Sequence, residues 1–109
     1  MMIKNGVNQV SLQQLLKESD FLSLHVLLTD DTHNLVTYQH LSAMKPSAFL
    51  INTARGELIE KNALLKALKN KKIAGAAIDV MWDERGDGGH LKNNPLVEYA
   101  KKNKNLIIV

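Results

Sequence analysis

The sequence contains no cysteine among its 109 residues, and this absence excludes several kinds of site. Disulfide bonds, thiolate zinc sites and a cysteine nucleophile all require a thiol. The chain also lacks any apolar run near the roughly 20 residues that a membrane-spanning helix needs, so no membrane partner is predicted. Its first residues lack the long apolar stretch of a secretory signal, and a cytoplasmic location is therefore expected.

Glycine and aromatic residues are scarce, with six glycines and an aromatic content of 5%. None of the glycines forms a dinucleotide-binding fingerprint, and the run 86–89 is not followed by a helix that carries a lysine or threonine in the place a phosphate loop requires. The net charge is +3, but the chain has neither an arginine cluster nor aromatic residues between its lysines. We therefore interpret the lysines as solvated faces and predict no nucleic-acid partner.

What the sequence does have is an alternation of amphipathic and apolar segments. Short apolar runs predict four strands, and a pattern typical of a helix precedes each of them. The strands are predicted at residues 21–28, 49–52, 73–78 and 106–109. The helices are predicted after Ser11 (a candidate N-cap, with Gln14 as its capping-box partner), within 35–44, after 60–62 and at 95–101. This order favours an α/β fold with a parallel sheet and right-handed crossovers.

Three charged residues are predicted at or just beyond the carboxyl ends of successive strands, the edge where open α/β sheets bind ligands. Arg55 follows the second strand, Asp79 ends the third, and Glu84 comes soon after it. A planar guanidinium can bind a carboxylate through two hydrogen bonds. Each residue also has a plainer interpretation: Arg55 can pair with a local carboxylate such as Glu57, Asp79 can cap a helix or loop, and Glu84 can be a surface acid.

The four histidines show no spacing typical of a metal site, so no metal is predicted. His25 lies near the end of the first predicted strand, where a lone histidine is more often structural than catalytic. The segment 75–77 consists of glycine and alanine, and such small residues allow a helix or a flat ligand to approach the strand closely.

Together these segments resemble the D-isomer-specific 2-hydroxyacid dehydrogenases, a family that includes D-lactate and D-3-phosphoglycerate dehydrogenases. The similarity begins at Val10 and includes the block Leu-Ile-Asn-Thr-Ala-Arg-Gly at residues 50–56. The other matching blocks are 19–26, 44–46, 63–64 with 67–68, 73–80 and 94–96. The resemblance implies the second half of a Rossmann-type doubly wound parallel sheet. It also implies NAD as the cofactor and a 2-oxo or 2-hydroxy acid as the substrate.

The resemblance further implies a role for each residue that matches the family's motifs. Arg55 would bind the carboxylate of the substrate, and Glu84 would hold the catalytic histidine and raise its basicity. Asp79 would lie near the nicotinamide end of the cofactor. The residues expected to contact the cofactor are Val26, Thr32, Thr53, Ala54, Arg55 and Asp79, with Val26 and Thr32 in the loop that covers its adenosine side. Family members usually have proline after the His-Val pair, whereas this chain has Leu27.

Three parts of the family's pattern have no counterpart in these residues: the glycine-rich pyrophosphate loop, the segment with the catalytic histidine, and the substrate domain. The expectation is a partial NAD-binding domain over residues 1–109, inactive by itself. Such a domain is expected to self-associate or to pair with a complementary N-terminal polypeptide. Two alternatives stay open, namely a noncatalytic NAD-binding or protein-interaction module and a truncated gene product without function.

Overall fold

The structure is a computed structural model that describes residues 7–60, 62–79 and 95–109, and helices and strands alternate along it. The helices are α1 (Leu12–Glu18), α2 (Tyr38–Ala43), α3 (Ala63–Lys69) and α4 (Pro95–Lys102). The strands are β1 (Phe21–Leu24), β2 (Phe49–Asn52), β3 (Gly75–Ile78) and β4 (Leu106–Ile108). A short 3₁₀ turn at Gly56–Leu58 follows β2. The α/β alternation predicted from the sequence is confirmed.

The described strands form one parallel sheet in the order β1-β2-β3-β4. Phe21 pairs with Phe49, Phe49 pairs with Gly75, and Ala76 pairs with Leu106. Each strand therefore pairs with the next strand along the chain, and the connecting helices pack in one layer. The helices contact one another in the same order, α1 with α2, α2 with α3, and α3 with α4. The carboxyl ends of the strands consequently meet at a single edge of the sheet.

The hydrophobic core lies between this helix layer and one face of the sheet. Alternate residues of β1 are exposed and buried, as expected for a strand with one covered face. The buried leucines and isoleucines contributed by strands and helices include Leu16, Leu22, Leu24, Leu41, Leu50, Leu64, Leu68, Ile78, Leu96 and Leu106. The opposite face of the described sheet exposes Phe21, Phe49 and Ile107, and the two phenylalanine rings stack with their centroids 5.6 Å apart.

Two helices begin at hydroxyl caps. The predicted cap Ser11 is confirmed, because its hydroxyl accepts the N–H of Gln14 at 3.1 Å. Helix α2 begins after Thr37, whose side chain and main chain form a complete capping box with His40. The N–H of Thr37 donates to Nδ1 of His40 at 3.0 Å. Sequence analysis missed this box because the third helical residue is usually Glu or Gln.

The first predicted strand, 21–28, is wrong in its second half, because β1 ends at Leu24. Leu24 pairs with Asn52, the last residue of β2, so the chain beyond Leu24 has no strand partner in the described sheet. Leu27 is 83% exposed there. The third strand begins at Gly75 rather than at residue 73, although Ile73 is buried. Ile73 is apolar and buried, whereas Val26 and Leu27 are apolar and exposed. In both places a strand would also need a neighbour for its main chain.

The small residues of β3 serve packing between strands. A Cβ atom at Gly75 would lie 2.7 Å from the main-chain oxygen of Asn105 and 3.0 Å from a ring carbon of Phe49. At this position the space that the sequence suggested for a helix or a ligand is therefore occupied by the segment entering β4 and by an aromatic ring.

We expect Gly75→Ala to lower the free energy of unfolding by about 1–3 kcal/mol, because the oxygen it meets belongs to the main chain and moves only with β4. Urea denaturation followed by circular dichroism measures the change. Ala77→Val is the matched control, since it adds volume on the same strand at a half-buried position and suits a strand. An equal loss of stability in the two variants would contradict this explanation.

Candidate functional site

An open cleft of about 450 Å³ lies at the carboxyl ends of β1 and β2. One wall consists of residues 25–28, which leave β1, and the other consists of Thr53, Ala54 and Arg55, which leave β2. Parallel α/β sheets bind their ligands at this edge. Four of the site residues predicted from the sequence therefore lie together in this cleft: Val26, Thr53, Ala54 and Arg55.

Arg55 presents a half-exposed guanidinium to this edge. Its side chain is 54% exposed, and Nη2 lies 3.9 Å from a carboxylate oxygen of Glu57. Exposed ion pairs contribute little to stability, and this one is at the long end of the range. The local pairing considered in the sequence analysis is therefore present but loose. The guanidinium carries five N–H donors and retains donors for a carboxylate that enters the cleft.

The turn that carries Arg55 is organised by Asn52, whose side chain is completely buried. Its amide nitrogen donates to the main-chain oxygen of Arg55 at 2.9 Å, and its amide oxygen accepts the N–H of Ala54 at 3.0 Å. Sequence analysis treated Asn52 only as the end of a strand. The available signal was a polar residue at an inward-facing strand position, directly before the loop.

The opposite wall offers an apolar surface. Val26 is 44% exposed and Leu27 is 83% exposed. Thr32 does not line the cleft, and its hydroxyl instead donates to the main-chain oxygen of Leu27 at 2.6 Å and accepts the N–H of Thr29 at 2.7 Å. Thr32 therefore fixes the loop that supports this wall. Its predicted contact with a cofactor stays a prediction.

His25 lies at the mouth of the cleft, at the point where the chain leaves β1. Its Nε2 lies 2.8 Å from the hydroxyl oxygen of Ser23, and both residues are exposed. This hydrogen bond fixes the ring against its own strand, which supports the structural interpretation made from the sequence.

Of the two acidic residues predicted for the site, the structure describes Asp79 but not Glu84. Asp79 is exposed at the end of β3 and does not line the cleft. Its N–H donates to the main-chain oxygen of Asn52 at 3.0 Å. Asp79 therefore lies next to the residue from which the turn carrying Arg55 begins. Glu84 lies outside the described residues, and so does the glycine-containing run 86–89. The predicted roles of Glu84 and Asp79 stay predictions.

The two loops that form the walls are tied to each other beyond the cleft. Asn34 has a left-handed conformation with φ of 57°, and its N–H donates to the main-chain oxygen of Glu57 at 2.9 Å. Val36 and Ile59 form a parallel bridge two residues further along each loop. These contacts hold the segment after β1 against the segment after β2.

The part of the chain that the structure describes contains no helix with the length and hydropathy to cross a membrane. Within the same residues, no three His, Asp or Glu side chains are grouped so that they could hold a metal ion.

Comparison with known proteins gives a consistent assignment. Residues 2–108 match the family model described as "D-isomer specific 2-hydroxyacid dehydrogenase, NAD binding domain". The glyoxylate reductase of Thermococcus litoralis is 52% identical over 79 residues, which cover 72% of this chain and 24% of that protein. The glycerate dehydrogenase of Methylorubrum extorquens is 48% identical over 82 residues, which cover 75% of this chain and 26% of that protein. The chain therefore spans about a quarter of the length of these relatives.

Solved structures show the same likeness. A D-lactate dehydrogenase from Sporolactobacillus sp is 34% identical, with a TM-score of 0.82 over 98% of this chain and 34% of that one. The NAD-complexed D-isomer specific 2-hydroxyacid dehydrogenase from Lactobacillus delbrueckii ssp. bulgaricus is 38% identical, with a TM-score of 0.77. That alignment covers 92% of this chain and 32% of the other.

Proposed function

This chain belongs to the NAD-binding domains of the D-isomer specific 2-hydroxyacid dehydrogenases, and we propose that it binds NAD and orients a 2-oxo or 2-hydroxy acid in such an enzyme. The family, the Rossmann-type parallel sheet and NAD as the cofactor of the family, all predicted from the sequence, are confirmed. The proposed reaction is oxidation of the CH–OH group of a D-2-hydroxy acid, or the reverse reduction. The observation that carries the proposal is the half-exposed guanidinium of Arg55 opposite an apolar wall at the carboxyl edge of the sheet.

The residues of the cleft fit a dinucleotide cofactor. Val26 and Leu27 expose apolar side chains on the wall that the resemblance assigns to the adenosine side of NAD, while Thr53 and Ala54 bring a polar main chain to the other wall. NAD, when bound, supplies the ring carbon that accepts or donates the hydride. We assign Thr32 to the loop that covers the adenosine side and Asp79 to the nicotinamide end.

The substrate's carboxylate is the group that Arg55 is placed to bind. A bidentate pair fixes the orientation of a 2-oxo acid as well as its charge, because two parallel hydrogen bonds define a plane. The proton of the reaction would move through a histidine held by Glu84, whose charge would favour the protonated ring. In this proposal the chain supplies the orienting cation and the tuning carboxylate, and none of its four histidines is assigned the proton transfer.

We expect the purified polypeptide to show no turnover of NADH with glyoxylate, pyruvate or larger 2-oxo acids. General acid–base help contributes about 10²–10⁴ to such rates, and the proposed histidine is outside these residues. Loss of NADH absorbance measures turnover. The positive control is a chimera in which this sequence replaces the matching segment of a 2-hydroxyacid dehydrogenase. Turnover by the polypeptide that is abolished by Arg55→Ala would contradict the expectation.

A further inference from the structure

We propose that Asn52 is a positioning residue for the ligand-facing edge, because it holds Arg55 through its side chain and Asp79 through its main chain. Among the described residues, Asn52 is the polar side chain that the core buries completely. Its surroundings in the sheet are apolar, with Leu24 on one side and Ile78 on the other in register. A polar group in such a place needs partners, and every partner that the structure gives this amide lies in the turn that follows.

The chemistry of an amide explains why asparagine suits this position. The turn offers one acceptor, the main-chain oxygen of Arg55, and one donor, the N–H of Ala54. An amide supplies a donor and an acceptor a fixed distance apart, whereas a carboxylate supplies acceptors only and an aliphatic side chain supplies neither. The amide itself is completely buried, so the loss of either bond leaves a buried polar atom without its partner. The turn that carries Arg55 is therefore restrained at two points.

The main chain of the same residue continues the β2–β3 ladder and joins this turn to the segment that follows β3. The oxygen of Asn52 accepts the N–H of Asp79 at 3.0 Å, directly beyond the last residue of β3. A single buried residue thus contacts the segments that carry the proposed carboxylate-binding cation and the proposed nicotinamide-end acid. Ile78 is equally buried and pairs with Asn52 across the sheet, but it makes no hydrogen bond through its side chain. Comparing substitutions at Asn52 and Ile78 therefore distinguishes a positioning role from a general contribution to core stability.

The test compares Asn52→Leu and Asn52→Asp with Ile78→Val in the full chain. Asn52→Leu keeps the approximate size and removes both side-chain hydrogen bonds, and Asn52→Asp keeps the acceptor for Ala54 but loses the donor to Arg55. Heteronuclear NMR measures amide exchange at Ala54 and Asp79 and the Nε–H signal of Arg55. The same signal is then followed during titration with NAD and pyruvate. Urea denaturation gives the stability of each variant.

We expect Asn52→Leu to speed amide exchange at Ala54 by about tenfold or more and to abolish the response of Arg55 to pyruvate. Asn52→Asp should preserve the protection of the Ala54 amide from exchange. It should still move the Nε–H signal of Arg55 away from its wild-type position, because the donor to the main-chain oxygen of Arg55 is lost. Ile78→Val should lower the unfolding midpoint while leaving the exchange at Ala54 and the Arg55 response unchanged.

Two results would overturn the proposal. One is wild-type protection of Ala54 and a wild-type Arg55 signal in folded Asn52→Leu. The other is loss of cooperative unfolding in both Asn52 variants, which would assign the residue to the stability of the whole sheet. The inference rests on the proposed function only for the identity of the ligands. If the wild-type chain does not respond to NAD or pyruvate, the proposed function fails, while amide exchange and the Arg55 signal still decide the role of Asn52.

Discussion

Arg55→Ala should lower kcat/KM for 2-oxo acids by about 10²–10³-fold in a chimeric dehydrogenase that carries this sequence in place of its own matching segment. The loss is large because a charged substrate carboxylate would enter the cleft without its partner, and an incompletely paired charge is costly away from water. The half-exposed guanidinium and its loose contact with Glu57 mean that little of its capacity is already used. Steady-state kinetics with glyoxylate and pyruvate measure the effect.

Two variants serve as controls for this result. Arg55→Lys keeps the charge but not the planar pair of donors, so it should recover only part of the activity. Glu57→Gln removes the carboxylate that lies 3.9 Å from the guanidinium and should leave kcat/KM within about threefold of the starting chimera. If Arg55→Ala and Glu57→Gln changed activity equally, Arg55 would be a partner of Glu57 rather than a substrate ligand.

Glu84→Gln in the same chimera should change the pH profile instead of the affinity. A neighbouring carboxylate raises the pKa of a histidine, so its replacement by an amide lowers that pKa. Reduction of a 2-oxo acid needs the protonated ring, and its rate falls as pH rises through this pKa. We therefore expect the decline to move to lower pH. An unchanged profile would remove Glu84 from the site.

The second large effect is expected in the association of the chain with itself. Phe21 is 68% exposed, and the outer edge of β1 pairs with no strand in the described sheet. Beside this edge an apolar groove of about 200 Å³ runs between α1 and β1, lined in part by Leu12, Leu15 and Val26. Exposed strand edges and apolar patches recruit further chains. We propose that a second copy covers this edge at concentrations of about 10–100 μM.

Phe21→Lys should raise the dissociation constant of that self-association by about tenfold or more, because a charged side chain at a strand edge opposes pairing. Analytical ultracentrifugation over a concentration series measures the constant. Gln13→Lys adds the same charge at an exposed position of α1 and should leave it nearly unchanged. A wild-type chain that stays monomeric throughout would refute the proposal. Dissociation only upon addition of an N-terminal polypeptide from a relative would identify that segment as the preferred occupant.

The sequence predicts the layered architecture well because the responsible signals are local. A hydroxyl before an amphipathic run marks the start of α1 at Ser11, and a proline after Lys45 marks the end of α2. The apolar runs predict four strands because buried parallel strands are apolar on nearly all positions. Their ends depend on the neighbouring strand, which explains why β1 ends at Leu24 and not at Leu28.

The candidate site is less accessible to such reasoning. Arg55 follows directly from its place after a strand, and the resemblance adds Val26, Thr53 and Ala54, which the cleft brings together. The importance of Asn52 depends on three hydrogen bonds that only folding creates. Helix α3 begins at Ala63 after a left-handed Asn62 with φ of 71°. Asparagine adopts this conformation more readily than most residues, but its place before a helix does not predict it.

The order of the strands in the sheet, which repeats their order in the chain, has a consequence for how the molecule folds. Each pairing closes the loop between consecutive strands, and none of the described strand pairs skips a strand. The entropic cost of bringing distant segments together is thereby kept low, since it grows with loop length. Folding can consequently begin in any strand–helix–strand unit and add the adjacent unit next. Each pairing still spans a whole helical crossover, so this parallel sheet should fold more slowly than a helical bundle of similar size but faster than a sheet whose pairings skip strands.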